Sequence, residues 1–241
     1  MRTIAMIPAR YAATRFPGKL MQMLGDKTVI RHTYDNTVAT GLFNQVAVVT
    51  DSEIIFKEIT DHGGVSIMSI KEHESGSDRI AEAVANMDVD VIINVQGDEP
   101  FIRKEPLETL VNLFKDPRVL VGSLMRKMDD LMEINDPHNV KVVVDKENNA
   151  LYFSRAAIPY AADSHVAVDY FLHIGVYGFR KHTLIEFTTW QPAALEKIEK
   201  LEQLRYLSHG VPIRMGVANF RSVAIDTPAD LERALKLQQQ V

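Results

Sequence analysis

Short apolar runs in which hydrophobic residues do not alternate with polar ones most constrain the fold of this chain. Three of them cover residues 4–7, 46–49 and 91–95, and segments with helical patterning separate them. Such runs suit strands that are covered on both faces, as in a parallel sheet. Alternating strands and helices imply right-handed crossovers. The sequence therefore predicts an α/β fold with a mostly parallel, doubly wound, Rossmann-like sheet flanked by helices.

The pattern changes after about residue 120. Residues 140–144 and 150–154 are β-rich, and the polar stretch between them predicts a hairpin. A strand at 171–179 and a helix from about 193 to 209 follow. Because 241 residues fit one large α/β domain and no linker is visible, we predict a single domain over 1–241. A β-rich segment at about 125–180 is expected to be inserted into it and to cover the ligand end of the sheet.

Three helix starts are predicted from capping residues. Ser52 and Ser77 each precede a stretch with helical apolar spacing, and Thr227 stands just before Pro228. Ser and Thr hydroxyls accept hydrogen bonds from the first amides of a helix, and proline is favoured at the first helical position.

Composition excludes several classes of protein. The formal net charge of −5 argues against broad nucleic-acid binding. The absence of cysteine excludes disulfides and thiolate metal sites, so any metal must be held by oxygen or imidazole. No apolar segment approaches the roughly 20 residues of a membrane span. We expect a cytoplasmic protein that binds neither nucleic acid nor membrane.

The loop after the first predicted strand gathers three cations, Arg10, Arg15 and Lys19. Ligands of open α/β sheets bind beyond the carboxyl ends of strands, where this loop falls. Arginine can fork onto phosphate oxygens and lysine acts as a point charge. The loop is not a Walker A motif, because Ala13 and Leu20 stand where that motif needs Gly and Ser or Thr. Local pattern alone leaves a phosphate site and a solvated cationic loop equally open.

Two aspartates are candidate ligands for Mg²⁺. Asp98 follows a strongly apolar strand and a glycine, and Asp226 precedes the last predicted helix. Magnesium takes oxygen ligands and uses one or two protein carboxylates together with substrate phosphates. The alternatives are a turn residue before Pro100 for Asp98 and simple helix capping for Asp226. From the residues alone, capping is the favoured explanation of Asp226.

A series of short blocks resembles the 3-deoxy-manno-octulosonate cytidylyltransferase (CMP-KDO synthetase) family. The blocks come in the family's order and span nearly the whole chain, which makes the series more specific than any one block. They are the Pro8-Ala9-Arg10 to Pro17-Gly18-Lys19 loop, Ser75-Gly76-Ser77-Asp78-Arg79, Asn94-Val95-Gln96-Gly97-Asp98-Glu99-Pro100, Asn139-Val140-Lys141-Val142-Val143, Ala150-Leu151-Tyr152-Phe153-Ser154-Arg155, His173-Ile174-Gly175-Val176-Tyr177, Leu201-Glu202-Gln203-Leu204-Arg205 and Asp226-Thr227-Pro228.

The resemblance implies an activity and a set of site residues. A member of the family transfers CMP from CTP to the anomeric hydroxyl of 3-deoxy-D-manno-octulosonate (KDO), releases pyrophosphate, and supplies lipopolysaccharide synthesis. Mg²⁺ is expected on Asp98 and Asp226, which with Arg10 and Lys19 form the catalytic set. The implied nucleotide-binding residues are Arg10, Arg15, Lys19, Ser75, Gly76 and Arg79. The implied sugar-binding residues are Gln96, Arg155, His173, Tyr177, Glu202 and Gln203. A homodimer is expected, with the inserted segment as its interface and as part of the sugar site.

Each of these assignments has a simpler alternative. His173 can be an ordinary half-buried histidine, Tyr177 a core or interface residue, and Glu202 part of a solvated helix face. Ser75 and Arg79 can be a helix cap and an exposed cation, and Gln96 a strand-end hydrogen bond.

The sequence also leaves the substrate and the class of protein open. Ala13, Phe16, Asp78 and Leu20 depart from the usual family signature, and none of them removes a proposed metal ligand or phosphate cation. Another acidic sugar, such as sialic acid or an 8-amino derivative of KDO, is the nearest alternative substrate. A non-catalytic CTP-binding protein and a structural interaction module are the alternatives from other classes.

Overall fold

The chain forms two compact units in a computed structural model that describes residues 1–12, 16–73, 75–163, 166–220 and 223–238. One unit comprises Met1–Leu107 and Arg221–Val241, and the other comprises Glu108–Phe220. The second unit is thus inserted into the first, over a wider range than the predicted 125–180. Among the described residues, no helix combines the length and the hydrophobicity that crossing a membrane requires.

The first unit is built on a parallel sheet in the order β6 (Val91–Asn94), β1 (Thr3–Ala9), β4 (Gln45–Thr50) and β5 (Ser66–Met68). The predicted apolar runs form its central strands, and Ile4, Val48 and Ile92 are buried. The boundary between the units falls within helix α4 (Lys104–Leu113). The elements that precede it are β1 (Thr3–Ala9), the 3-10 helix Lys19–Met21, β2 (Met23–Leu24), β3 (Lys27–Thr28), α1 (Val29–Ala39), β4 (Gln45–Thr50), α2 (Glu53–Thr60), β5 (Ser66–Met68), α3 (Gly76–Val84) and β6 (Val91–Asn94).

The carboxyl ends of these strands lie side by side. Ala9 at the end of β1 pairs with Thr50 at the end of β4, and Met6 pairs with Asn94 at the end of β6. Loops that leave the strands at these points therefore meet at one edge of the sheet, as expected for a ligand site in a parallel α/β fold.

Helix caps in the first unit agree with the predictions at Ser52 and differ at Ser77. Ser52 Oγ accepts a hydrogen bond from the Ile55 amide at the start of α2. The cap of α3 is Ser75, whose Oγ accepts from the Asp78 amide at 3.1 Å, and Ser77 lies buried inside the helix. The prediction was wrong by two residues because both serines precede the same apolar face, and only Ser75 has the extended backbone that a cap needs.

The second unit contains a mixed sheet. Strand β7 (Val121–Met128) pairs in parallel with β11 (Ile213–Val217) and antiparallel with β10 (Tyr170–Arg180). Strand β10 also pairs with β8 (Lys141–Val144), which forms a hairpin with β9 (Ala150–Ser154). This confirms the predicted hairpin. The remaining elements of the chain are β7 (Val121–Met128), α5 (Leu131–Asn135), β8 (Lys141–Val144), β9 (Ala150–Ser154), β10 (Tyr170–Arg180), α6 (Lys181–Phe187), α7 (Ala194–Glu199), α8 (Leu204–Ser208), β11 (Ile213–Val217) and, in the first unit, α9 (Pro228–Gln238).

The single helix predicted from about 193 to 209 is wrong. The structure has two short helices there, α7 and α8, and Lys200 between them adopts a left-handed backbone with φ of 57°. The break turns Leu201, Leu204 and Tyr206 into the core, whereas α7 contains no buried residue. Burial of those side chains outweighs the helical propensity of the Glu- and Lys-rich sequence.

Candidate functional site

A cavity of about 290 Å³ lies in the first unit, at the carboxyl ends of the parallel strands. Eight of the predicted site residues line it, although they come from four separate parts of the sequence. They are Arg10, Lys19, Ser75, Gly76, Arg79, Gln96, Asp98 and Asp226. The one remaining site residue predicted in this unit, Arg15, lies outside the described residues.

Lys19 joins the two aspartates predicted to hold a metal. Its Nζ donates to Asp98 Oδ2 at 2.5 Å and to Asp226 Oδ1 at 2.8 Å. The three residues are far apart in sequence, so the folded first unit brings them to one point. Because the side chain of Lys19 is only 15% exposed, these ion pairs are partly shielded from water.

The pKa of Lys19 reflects this environment. Burial lowers the pKa, but the charge of Asp98 and the hydrogen bonds to Asp226 and Asp98 outweigh burial and raise the pKa above its ordinary value. Lys19 is therefore a firmly charged ammonium between two carboxylates. This arrangement concentrates opposite charges where a triphosphate and a cation can be bound together.

Helix capping does not account for Asp226. The start of α9 is capped by Thr227 and Asp230: the Asp230 amide donates to Thr227 Oγ1, and Asp230 Oδ2 accepts from the Thr227 amide. The prediction for Thr227 is confirmed. The Asp226 carboxylate instead binds Lys19. The capping explanation, favoured by the sequence pattern, is wrong.

Arg79 is buried and is not the exposed cation that the simpler alternative describes. Its side chain is 5% exposed, and Nη2 donates to Asp51 Oδ2 at 2.7 Å. Its Nη1 is buried and has no hydrogen-bond partner among the described residues. Buried guanidinium groups normally satisfy their donors, so a cavity-lining arginine with a spare N–H is suited to a ligand acceptor.

Two glycines allow close approach at the cavity. A Cβ atom on Gly76 would lie 3.1 Å from Pro8 Cγ, a contact so tight that Pro8 would have to shift, so glycine lets the start of α3 pack closely against the end of β1. Gly18 has φ of 67°, a left-handed conformation that favours glycine. It sets the turn that leads into Lys19.

The sequence analysis missed His73. This residue lines the cavity, and its Nε2 lies 2.5 Å from Glu82 Oε2. Glu82 also accepts hydrogen bonds from Ser69 Oγ and from the Ile70 amide. Although burial raises the pKa of Glu82, these hydrogen bonds lower it overall. The contact with Glu82 thus orients the imidazole beside Ser75 and Gly76 in the lining of the cavity. Its position two residues before Ser75 is the only sequence signal that could have identified it.

In the second unit, His173 belongs to a row of packed side chains. Its Nε2 lies 3.0 Å from Ser123 Oγ, and its ring is 5.0 Å from Phe153 and 5.4 Å from Tyr177 between centroids. Burial lowers the pKa of His173 to about 3. Burial, and then the charge of Glu202, raises the pKa of Tyr177 well above its ordinary value. Both side chains are therefore uncharged at neutral pH.

Arg155 is held by backbone carbonyls. Its Nε donates to Glu199 O, and its Nη1 donates to Pro137 O. The wholly buried Lys141 supports the same region, since its Nζ donates to Asp136 O at 3.0 Å, Asn139 O at 2.7 Å and Arg155 O. Burial lowers the pKa of Lys141. The ammonium ties the strand end that carries Arg155 to the loop before β8.

The two other residues predicted for the sugar lie at the start of α8. Gln203 is buried and precedes the first residue of that helix, and Glu202 is half-buried. Among the residues predicted for the sugar in the second unit, His173, Tyr177 and Glu202 lie close together, since the rings of His173 and Tyr177 are in contact and the charge of Glu202 acts on Tyr177. Their contact with a sugar stays a prediction.

The cavity fits a hard divalent cation. Asp98 and Asp226 present oxygens to one point that already accommodates a cationic group, the Lys19 ammonium. Among the residues that the structure describes, no cluster of three or more His, Cys, Asp or Glu side chains forms a closed metal site. Two carboxylates with further ligands supplied by a substrate match the way Mg²⁺ binds in proteins.

Comparison with known proteins identifies the family. The model of the Cytidylyltransferase family matches residues 4–220. The chain is 56% identical, over 100% of both chains, to 3-deoxy-manno-octulosonate cytidylyltransferase of Flavobacterium johnsoniae. It is 40% identical, over 98% of both chains, to the protein of the same name of Thermodesulfovibrio yellowstonii.

Comparison with solved structures leads to the same family. A CMP:2-keto-3-deoxy-manno-octonic acid synthetase complexed with CTP matches with a TM-score of 0.95 and 36% identity, over 100% of this chain and 99% of that one. A 4-diphosphocytidyl-2C-methyl-D-erythritol synthase from Anaerococcus prevotii, at 13% identity and a TM-score of 0.66 over 99% of each chain, shares the fold. The predicted α/β fold and the family resemblance are confirmed. This chain belongs to the cytidylyltransferase family and, within it, to the 3-deoxy-manno-octulosonate cytidylyltransferases.

Proposed function

We propose that this enzyme transfers CMP from CTP to the anomeric hydroxyl of KDO and releases pyrophosphate. The observation that carries the proposal is the convergence of Arg10 and Lys19 with Asp98 and Asp226 on one cavity. Cations suit the triphosphate, and the paired carboxylates suit its metal ion. The full-length relatives named 3-deoxy-manno-octulosonate cytidylyltransferase support KDO as the acceptor.

The reaction forms one bond and breaks one. The anomeric oxygen bonds to the α-phosphorus of CTP, and the bond from that phosphorus to the oxygen bridging to the β-phosphate breaks. Pyrophosphate leaves with that oxygen, and the hydroxyl proton passes to solvent. Such a transfer depends mainly on positioning and on stabilisation of phosphate charge. Arg10 and Lys19 would bind the phosphates, and Arg15 belongs to the same predicted set.

We propose Mg²⁺ as the cofactor, held by Asp98 and Asp226. When bound, Mg²⁺ neutralises phosphate charge and makes a coordinated hydroxyl a better nucleophile. The contribution of the chain is to hold two carboxylate oxygens at one point inside the cavity. The cap of α9 uses Thr227 and Asp230, and the Asp226 carboxylate contacts Lys19 at the cavity, which supports its assignment to the metal site.

On the nucleotide side, Ser75, Gly76 and Arg79 are proposed to contact CTP. The spare Nη1 of Arg79 supports this assignment. On the sugar side, Gln96, Arg155, His173, Tyr177, Glu202 and Gln203 are proposed to contact KDO. The fixed position of Arg155 supports its assignment, since a guanidinium held by two carbonyls loses little freedom when it binds an acid.

The wider setting belongs to the same proposal. KDO as acceptor implies a supply of CMP-KDO for lipopolysaccharide synthesis, and the use of CTP suits a cytoplasmic enzyme. A homodimer with the inserted β-rich segment at its interface remains a prediction. Native mass spectrometry of the purified protein would test it.

The activity is tested by incubating the purified enzyme and Mg²⁺ with each of CTP, UTP, ATP and GTP in combination with KDO, 8-amino-KDO and sialic acid. Pyrophosphate release and product mass are measured, and the set is repeated with Asp98→Asn. We expect CMP-KDO from CTP and KDO, and almost none from the variant. Product with a different sugar would change the acceptor, and no pyrophosphate from any pair would refute nucleotidyl transfer.

A further inference from the structure

Lys19 stands at the point where the proposed metal would be bound. We propose that the Lys19 ammonium and a divalent cation are alternative occupants of the Asp98–Asp226 pair, so that Lys19 closes the metal site until triphosphate draws it away. This inference rests on the metal site of the proposed function and assigns a second role to Lys19. In this role Lys19 determines the order in which metal and nucleotide bind.

The two occupants compete for the same oxygens. Lys19 Nζ contacts Asp98 Oδ2 at 2.5 Å and Asp226 Oδ1 at 2.8 Å, so one oxygen of each carboxylate is engaged. A Mg²⁺ ion bonds carboxylate oxygens at about 2.1 Å. Two cations on the same two oxygens repel each other, and this repulsion is strong in a site partly shielded from water. One of them must leave.

Lys19 can move without disturbing the fold around it. The backbone at the base of Lys19 is held by two hydrogen bonds, since the Gly18 amide donates to Tyr11 O and the Lys19 amide donates to Phe16 O. The four-carbon lysine stem then allows the ammonium to swing about a fixed base. The same cavity contains Arg10, so phosphates bound there would offer Lys19 new anionic partners.

Competition of this kind lowers the apparent affinity for metal. If Lys19 occupies the carboxylate pair about nine-tenths of the time, the apparent Kd of a metal for the nucleotide-free protein rises about tenfold. A triphosphate that binds Lys19 removes this competition. The metal site is then completed by the substrate that the metal acts on, and an ion bound alone is disfavoured.

Mn²⁺ binding to the nucleotide-free protein tests the inference without an activity assay. The concentration of unbound Mn²⁺ is followed by electron paramagnetic resonance for the wild type, Lys19→Met and Lys19→Gln. We expect both variants to bind Mn²⁺ about tenfold more tightly than the wild type. Lys27→Met is the matched control, because Lys27 pairs with Asp35 at 2.8 Å outside the cavity. It should bind Mn²⁺ as the wild type does. Equal affinity in all four proteins would overturn the inference.

A second measurement uses the wild-type protein and does not depend on the folding of variants. Lysines are acetylated briefly, with and without high Mg²⁺, and the extent of modification at Lys19 and Lys27 is read by mass spectrometry. We expect Mg²⁺ to speed acetylation of Lys19 several-fold, because the side chain is only 15% exposed while it contacts the two carboxylates and becomes accessible to the reagent once displaced. Acetylation of Lys27 should not change. Unchanged labelling of Lys19 would contradict displacement.

The failure of this inference can be told from failure of the proposed function. If the wild type makes CMP-KDO but removal of the Lys19 charge does not tighten Mn²⁺ binding, only the competition is refuted. If Mn²⁺ binding tightens as expected but no sugar accepts CMP, the competition stands and the proposed reaction fails. In the double variant Lys19→Met/Asp98→Asn the gain in Mn²⁺ affinity should disappear, because one of the two carboxylates is then missing.

Discussion

The two units of this enzyme use buried polar groups in different ways. In the first, charged side chains from loops at strand ends point into a cavity, and Lys19 bridges Asp98 and Asp226 there. In the second, the buried Lys141 ammonium donates to three backbone carbonyls of the same unit. The contrast teaches that burial of charge alone does not identify a ligand site, and that the partners of the charge decide.

The largest expected effect is that of Asp98→Asn on activity, and its absence would contradict the contrast between the two units. Asp98→Asn removes a charge from the proposed metal site while preserving side-chain shape, so we expect kcat/KM to fall about a thousandfold, or ~4 kcal/mol in transition-state stabilisation. Steady-state kinetics with CTP and KDO measures it. Asp35→Asn, which removes a carboxylate paired with Lys27 outside the cavity, is the control and should stay within a few-fold. Similar kinetics for the two variants would show that Asp98 is not part of the catalytic site.

The second prediction concerns the packing role of Lys141. Lys141→Met leaves three carbonyls without their donor in the interior of the second unit, and we expect the free energy of unfolding to fall by ~2–3 kcal/mol. Urea unfolding followed by circular dichroism measures this loss. The exposed Lys146 of the neighbouring hairpin gives the matched control, Lys146→Met, expected within about 0.5 kcal/mol of the wild type. A stable Lys141→Met protein with a raised KM for KDO would instead assign Lys141 to the ligand.

The third prediction tests whether the ion pair between Asp51 and Arg79 supports the binding of CTP. Asp51 holds the buried Arg79 at 2.7 Å, and we expect Asp51→Asn to raise the KM for CTP about tenfold, ~1.4 kcal/mol, with a smaller change in kcat. The KM for KDO should not change, and Asp51→Glu should restore part of the affinity. A variant that is less stable but has an unaltered KM for CTP would limit the ion pair to a structural role.

The smallest expected effect is the pH dependence of stability that we attribute to His173. The pKa of His173 is near 3 in the folded chain and about 6.5 in the unfolded one, so the unfolded chain binds the extra proton between these values. The stability contribution is complete above pH 6.5 and is lost as pH falls towards 3. Between pH 7.5 and 6 the free energy of unfolding should fall by ~0.8 kcal/mol on this account.

Comparison of variants isolates this contribution. Urea unfolding at the two pH values should show a smaller decrease for His173→Gln than for the wild type. His138→Gln, which changes an exposed histidine of the same unit, should behave as the wild type does. If the free energy of unfolding of His173→Gln fell as much as that of the wild type, a group other than His173 would be taking up the proton. If His173→Gln also raised the KM for KDO alone, the row around His173 would be a sugar site as well as a packing element.

The sequence predicted the first unit better than the second. Apolar runs identified the central strands, and strand ends located Arg10, Lys19 and Asp98 at a single edge of the sheet. This prediction succeeds because a parallel sheet places the carboxyl ends of its strands at one edge, independently of the side chains. Asp226 could be assigned only through the family resemblance, since its local pattern favoured a helix cap. The cap turned out to use Thr227 and Asp230 instead.

Other features depended on tertiary packing that no local pattern encodes. The break at Lys200 follows from burial of Leu201, Leu204 and Tyr206, and helical propensity gave no sign of it. The burial of Arg79 depends on Asp51, 28 residues earlier in the chain. His73 was missed because its partner Glu82 lies on the next helix, and a lone histidine in a polar loop carries little information.

The position of Asp226 has a consequence for the biogenesis of the enzyme. A ribosome makes the chain from its amino terminus, so Lys19 and Asp98 emerge first, then the whole of the inserted unit, and Asp226 only after it. A nascent or prematurely terminated chain therefore carries half of the carboxylate pair and a lysine with a single anionic partner. Under the proposed function, we therefore expect catalysis only from chains that extend past Asp226.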